Sequence, residues 1–277
     1  MTSTTIGGLR CHDWGGAPGA PALLLLHGFS DSGRCWVDAV DHWTTDFHVL
    51  TVDARGHGQS ERFTPSQLAS GPQAVMVEDI VQLLDSWPAL TGRPVALVGH
   101  SMGGGVACEV ALARPDRVAA VVLEDPALGP SDGTTAGHET AVRREWGDAQ
   151  VAQLTRYAVD PAFATAEVAQ FVRTSPAVEA HEWLAAKHQT DLDMTAGGRI
   201  RPERPWRQAV AELTVPTLVV SGTREVIWEP QEWAALQACG NPVVETAVVD
   251  GADHCVRRTR PEGFYAVVDP WLHRHLR

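Results

Sequence analysis

The sequence contains few basic residues for its length. Lysine and arginine together number 22 against 34 aspartates and glutamates, so the 277-residue chain has a formal net charge of −12 at pH 7. Nucleic-acid backbones and anionic membrane surfaces both recruit clusters of Lys and Arg. The composition therefore argues against a nucleic-acid partner and against binding to a membrane surface.

Long apolar runs are also missing. No uninterrupted stretch approaches the roughly 20 apolar residues of a membrane-spanning helix. Residues 1–8 are small and polar and lack the basic flank and apolar segment of a signal peptide. We therefore expect a cytoplasmic protein.

Paired cysteines and repeats are absent as well. The five cysteines are widely scattered, without the C-x-x-C pairs or His spacing of a zinc site. We interpret them as reduced thiols and expect no metal. The 44% hydrophobic composition of the chain is enough for one large core or two small ones.

The most informative stretch covers residues 95–104. An apolar run ends at Gly99, Ser101 stands at a turn, and small and apolar residues from Met102 predict a helix. In this G-x-S-x-G pattern, a tight strand-to-helix turn exposes the serine oxygen. A side chain at Gly99 or Gly103 would collide with the neighbouring strand and helix. The pattern predicts that Ser101 is a nucleophile.

Apolar runs alternate with helix-like segments along the chain. Continuous apolarity, as in residues 22–26, is typical of strands buried on both faces of a parallel sheet. The alternation predicts an α/β fold with a mostly parallel, doubly wound sheet. Catalytic groups should lie at the carboxyl ends of its strands. The strand-like runs are residues 9–14, 22–26, 47–52, 95–98, 118–123, 217–220 and 243–249.

The pattern changes between residues 126 and 213. Strand-like runs disappear, and three tryptophans are spaced among helix-like segments rich in alanine and charge. We expect residues 126–213 to form a helical cap or lid on a core made of residues 1–125 and 214–277. The alternative is a set of ordinary flanking helices.

A serine nucleophile needs a base, and the base needs an orienting group. His254 follows the last predicted strand and is the expected base. Glu225 follows the strand-like run 217–220 and is the preferred acid, and Asp125, at the end of the preceding strand, is the alternative. Either carboxylate could hold the imidazole tautomer.

An oxyanion hole needs two backbone N–H donors. Met102, the residue after the nucleophile, is the first candidate, and Phe29, which follows a leucine-rich strand, is the second. The charged, glycine-rich loop 53–60 is interpreted as structural: Asp53 and Arg55 tie loops together, and His57 is not the base.

Five motifs taken together resemble the α/β-hydrolase fold superfamily. The resemblance implies an eight-stranded, mostly parallel sheet with a helical cap, and a cofactor-independent site on Ser101, His254 and Glu225. Many relatives have Asp at the position of Glu225, and Gly-Ala-Gly-His is common where Asp253 adds a carboxylate here. The motifs are His27-Gly28-Phe29, Asp53-Ala54-Arg55-Gly56-His57-Gly58, Gly99-His100-Ser101-Met102-Gly103-Gly104, Val215-Pro216-Thr217-Leu218 and Gly251-Ala252-Asp253-His254.

These features predict a serine hydrolase that cleaves an ester-type bond, a carboxylic ester or a lactone, through an acyl-enzyme. The substrate is expected to be small and largely apolar, and no cofactor is expected. The expected pocket walls are Trp36, Trp146, Trp183 and Trp228.

Three alternatives use the same fold. They are a ligand-binding or sensor protein, a biosynthetic enzyme that performs acyl transfer or cyclisation, and a carbon–carbon hydrolase. The sequence does not indicate the natural substrate or the oligomeric state.

Overall fold

One eight-stranded sheet organises the chain. The computed structural model describes residues 1–131 and 136–276, of which residues 136–139 are described by their backbone. The sheet order is β1-β2-β4-β3-β5-β6-β7-β8; β1 and β2 are antiparallel to their neighbours, and all other pairs are parallel. The strands are β1 (Thr2–Ile6), β2 (Leu9–Gly15), β3 (Ala22–Leu26), β4 (His48–Val52), β5 (Val95–His100), β6 (Val118–Glu124), β7 (Thr217–Ser221) and β8 (Val244–Val248).

Helices cover both faces of this sheet. Their order along the chain follows the predicted alternation with the strands, so the doubly wound α/β class is confirmed. The described helices are α1 (Val37–Trp43), α2 (Pro65–Ser70), α3 (Pro72–Ser86), α4 (Met102–Ala113), α5 (Ala136–Val159), α6 (Pro161–Thr174), α7 (Ala180–His188), α8 (Leu192–Gly197), α9 (Trp206–Glu212), α10 (Pro230–Gln237), α11 (Val256–Thr259) and α12 (Pro261–His275).

The continuous apolar strands explain why the sheet is buried on both faces. Successive side chains of a strand point to opposite faces. In β3, Leu24 and Leu26 belong to a core cluster that includes residues of α3, α4 and α10, whereas Leu23 and Leu25 join a cluster that includes α1 and α12. The two clusters hold the layers together.

In its described residues the segment between β6 and β7 consists of helices and connecting loops without a strand, and residues 132–135 lie outside the described part. Its last helix, α9, packs against α4, and Trp206 and Val210 belong to the core cluster of that layer. Helix α9 therefore packs with the core layer, although it lies within the range 126–213 that was expected to form the cap. The use of this segment as a cap stays a prediction.

The elements that escaped the sequence pattern include β1 and α2. The edge strand β1 leaves most of its side chains exposed, so it carries no apolar signal. Helix α2 buries no residue, and it begins at a capping box between Thr64 and Gln67 with Pro65 in its first turn. Both elements are specified by local hydrogen bonding instead of burial. In the described residues, no helix is long and apolar enough to cross a membrane.

Candidate active site

Ser101 lies at the turn between β5 and α4. Its φ of 51° is in the left-handed region that non-glycine residues rarely adopt. The flanking glycines make the turn possible: a Cβ at Gly99 would lie 2.4 Å from the Gly103 carbonyl oxygen, and one at Gly103 would lie 2.2 Å from the carbonyl oxygen of Leu26. The steric requirement inferred for these glycines holds in the structure.

His254 follows β8 and contacts a buried carboxylate. Its Nδ1 lies 2.6 Å from Asp125 Oδ2. Asp125 is fully buried and also accepts hydrogen bonds from the Ser221 hydroxyl, at 2.7 Å, and the Ile227 N–H, at 2.9 Å. With Nδ1 donating to the carboxylate, Nε2 is the basic nitrogen of the neutral ring.

Glu225, the preferred acid of the sequence analysis, does not take this place. Its side chain is exposed and lines the rim of the cavity, and its backbone φ is 49°. Residue Ile227, in the same loop, folds over Asp125 and donates its N–H to that carboxylate. The structure therefore corrects the expectation for Glu225 and brings the alternative, Asp125, to His254.

Ser101 and His254 line one cavity of about 640 Å³. Trp146 and Trp183 also line it, as expected, and Trp146 packs edge-on against Phe29 with ring centres 4.8 Å apart. The cavity therefore has an aromatic wall next to the serine turn.

The other two expected walls are core residues. Trp36 is buried beneath the guanidinium of Arg257, whose carbon lies 4.6 Å from the ring centre. Trp228 is buried against Trp206, with ring centres 5.2 Å apart. The expectation that Trp36 and Trp228 bind substrate is corrected, because both rings are buried in contacts with other core residues.

The two expected oxyanion donors flank the serine. Met102 is the first residue of α4, and the first N–H groups of a helix have no acceptor within that helix. Phe29 lies in the loop after β3 and lines the cavity. Gly28 precedes it, where a Cβ would lie 2.6 Å from Nδ1 of His100. The structure thus brings the loop after β3 close to the serine turn.

The loop after β4 ties neighbouring segments together, as interpreted from the sequence. Asp53 accepts hydrogen bonds from the N–H groups of Gly33 and Gln59, both at 2.8 Å. Arg55 donates to both carboxylate oxygens of Asp79, at 2.8 and 2.9 Å. Burial lowers the pKa of His57 to about 3, so this ring stays neutral.

A buried ionic group that sequence reasoning missed lines the same cavity. Arg258 Nη1 lies 2.9 Å from Asp31 Oδ2, and Lys187 Nζ lies 3.5 Å from Asp31 Oδ1. Burial opposes ionisation of Asp31, but the charges of Arg258 and Lys187 outweigh it and hold its pKa below the usual value. The cavity is therefore lined by charged side chains as well as by aromatic ones.

One group of metal-ligand types occurs among the described residues. Ligand atoms of His100, Glu124 and Cys255 lie within 4.8 Å of one another. The charges of Arg257 and Arg258 act on Glu124, and the Arg257 N–H occupies one of its oxygens at 2.7 Å. Two nearby guanidinium groups disfavour a cation, so we assign no metal to this group.

A mostly parallel eight-stranded sheet with a serine at this turn defines an α/β-hydrolase, the class to which the motifs pointed. The chain belongs to the alpha/beta hydrolase family, whose sequence profile matches residues 23–267. Several of its curated relatives carry the names of hydrolases.

Curated relatives include lipases and carbamate hydrolases. Lipase LipV of Mycobacterium tuberculosis is 37% identical over 153 residues, which are 55% of this chain and 51% of that lipase. The chain thus aligns with about half the length of this relative. A protein of Rhizobium rhizogenes assigned as carbamate hydrolase RutD is 27% identical over 259 residues, 89% of this chain and 90% of the relative.

Solved structures share the fold. An esterase of Thermogutta terrifontis superposes with a TM-score of 0.73 at 24% identity and covers 100% of this chain and 98% of its own. The enol-lactonase of Burkholderia xenovorans LB400 superposes with a TM-score of 0.72 at 21% identity and covers 98% and 100%. At these identities the likeness concerns the fold alone.

Proposed function

We propose that the protein is a serine hydrolase that cleaves an ester-type bond, a carboxylic ester or a lactone, of a small and largely apolar substrate. The observation that carries the proposal is the 2.6 Å contact between His254 and buried Asp125 on the cavity that Ser101 lines. This contact supplies an oriented base beside a serine on a strained turn. The relative named lipase supports the ester.

The proposed reaction begins with attack of Ser101 Oγ on the substrate carbonyl carbon. His254 Nε2 takes the serine proton, and Asp125 holds the imidazole and stabilises the imidazolium that forms. The N–H groups of Phe29 and Met102 bind the oxyanion. The proton then passes to the departing alkoxide, which leaves as an alcohol.

Water completes the cycle. It attacks the acyl-enzyme while His254 Nε2 accepts its proton, a second oxyanion forms in the same place, and the acid is released as Ser101 recovers its proton. The aromatic wall of Phe29 and Trp146 would hold the apolar part of the substrate.

The first prediction concerns the nucleophile. Ser101→Ala should reduce hydrolysis of p-nitrophenyl butyrate to background, because no other group in the proposed mechanism forms the acyl-enzyme. Steady-state turnover and labelling by a fluorophosphonate measure this, with exposed Ser86→Ala as a matched control. Wild-type rates in Ser101→Ala would contradict the proposal.

The same assay separates the alternatives. Stoichiometric labelling of Ser101 without multiple turnover would favour the ligand-binding reading. A phenyl carbamate tested beside esters and lactones addresses the activity assigned to the Rhizobium rhizogenes relative.

A further inference from the structure

Lys187 is the only lysine in the sequence, and it is buried. It lies on α7 and reaches across to the loop after β3. Its Nζ donates to the carbonyl oxygen and to the hydroxyl oxygen of Ser30, both at 2.9 Å. The ammonium also lies 4.7 Å from the ring centre of Trp183. One amine thus holds both the backbone and the side chain of a single residue.

Ser30 is a strained residue of a tight turn. The Asp31 N–H donates to the Gly28 carbonyl oxygen at 3.2 Å, which closes a four-residue turn with Phe29 and Ser30 in its centre. The φ of Ser30 is 56°. A positive φ at this position is the mark of a type II turn, where glycine is preferred. A serine there costs conformational energy, which neighbouring contacts must offset.

The next residue is fixed from another direction. Asp31 is held by Arg258, which belongs to α11, just after His254 in the chain. The turn therefore lies between two anchors, Lys187 from α7 and Arg258 from the segment that carries the base. Phe29 immediately precedes Ser30, so the orientation of its N–H depends on the same turn.

We propose that Lys187 is a positioning residue that holds Ser30 in its strained conformation and thereby aims the Phe29 N–H at the oxyanion. The inference rests on the proposed function. Lys187 thereby couples the position of helix α7 to the oxyanion hole. The turn has its catalytic shape only when α7 packs against the core. A small error in the aim of an N–H donor weakens transition-state binding more than substrate binding.

Lys187→Met tests the coupling, because it keeps the length of the side chain and removes the donor. We expect kcat for p-nitrophenyl butyrate to fall about 10- to 100-fold, with KM changed by less than about threefold. The rate of fluorophosphonate labelling of Ser101 should fall in parallel, since the phosphoryl oxygen occupies the oxyanion hole.

Glu182→Gln is the matched control. Glu182 also lies on α7, and it accepts a hydrogen bond from Arg34, at 2.8 Å, instead of from Ser30. We expect this variant to stay within about threefold of wild type in both measurements. Equal losses in Lys187→Met and Glu182→Gln would mean that Lys187 only docks the helix, and the proposal would be wrong.

Ser30→Gly tests the mechanism itself. Glycine adopts a φ near 56° without strain, so the turn should need Lys187 less. Lys187→Met made in the Ser30→Gly background should lose several-fold less activity than in the wild-type background. An identical loss in both backgrounds would overturn the role of strain.

If Lys187→Met does not fold, Ser30→Ala provides the same test. It removes one of the two acceptors of Lys187 and keeps the charge and the buried lysine, and we expect kcat and the labelling rate to fall together, by several-fold. Unchanged rates would refute the proposal.

A wild-type enzyme that neither turns over nor labels would refute the proposed function. Normal wild-type activity with unaffected Lys187→Met and Ser30→Ala variants would refute this inference alone.

Discussion

Asp125 and Glu225 follow neighbouring strands but differ in burial and in hydrogen bonding. Asp125 directly follows β6, and Glu225 follows the neighbouring strand β7 by a few residues. Three donors, including His254, point at the carboxylate of Asp125, whereas Glu225 faces solvent. Burial in a complete set of hydrogen bonds suits a group that must hold an imidazole in one orientation.

The exchange of these two carboxylates for amides gives a direct comparison. Asp125→Asn should lower kcat by about 10²- to 10⁴-fold, because the amide favours the wrong tautomer of His254. Glu225→Gln should change kcat by no more than a few-fold. Turnover of an ester by both folded variants is the measurement. A larger loss in Glu225→Gln would restore Glu225 as the orienting acid.

The sequence could predict some of these residues and not others. Ser101 and His254 are marked by local motifs and by their order after strands. The choice between Asp125 and Glu225 depends on how the loop 222–227 folds, which no local pattern records. The contact between Lys187 and Asp31 joins residues 156 positions apart, so it was not predictable at all.

At the scale of elements, the serine turn depends on close packing between β3, β5 and α4. A Cβ at Gly103 would meet backbone atoms of Leu26, which lie in a fully buried strand and cannot move aside. The apolar periodicity revealed the strand and the helix, and the glycine spacing revealed the turn. This element was therefore predictable in detail, unlike the helices between β6 and β7.

Gly103→Ala should destabilise the protein by at least about 1–3 kcal/mol, the cost of overpacking a tight site. Gly197→Ala is the matched control, because a Cβ there would meet no atom within 4 Å and its φ is not positive. We expect this control to be neutral or slightly stabilising. Urea unfolding measures both, and equal effects would contradict the packing argument.

In the helices between β6 and β7, the sequence pattern does not predict which tryptophans line the cavity. Trp146 and Trp183 face the cavity, whereas Trp206 packs in the core with Trp228. Trp146, Trp183 and Trp206 lie in similar helical surroundings in the sequence, and the sequence pattern does not distinguish a pocket wall from a core residue until the helices are placed. The assignment of pocket walls required the structure for this reason.

Across the whole molecule, buried neutral histidines link stability to pH. Burial lowers the pKa values of His27, His57 and His100, and for His57 the value is about 3. In the unfolded chain these rings have pKa values near 6.5. Between pH 6.5 and about 3 the unfolded state binds protons that the native state does not, so stability falls as the pH falls through this window.

The slope of stability against pH should therefore depend on His57. Each buried neutral histidine contributes about 1.4 kcal/mol per pH unit within its window. His57→Gln should flatten the dependence between pH 6.5 and 5 by about this amount, and exposed His181→Gln should leave it unchanged. Urea unfolding at several pH values gives the slopes. Equal slopes in His57→Gln and wild type would refute the linkage.

The two carboxylates also have an evolutionary consequence. Asp125 and Glu225 follow strands that are hydrogen-bonded neighbours in the sheet. A transfer of the orienting role from Asp125 to Glu225 would also require a change in the loop 222–227, because the Ile227 N–H of that loop donates to Asp125 and Glu225 is exposed. Under the proposed mechanism, a lineage that moves the acid from one strand to the next must therefore change the carboxylate and the loop together.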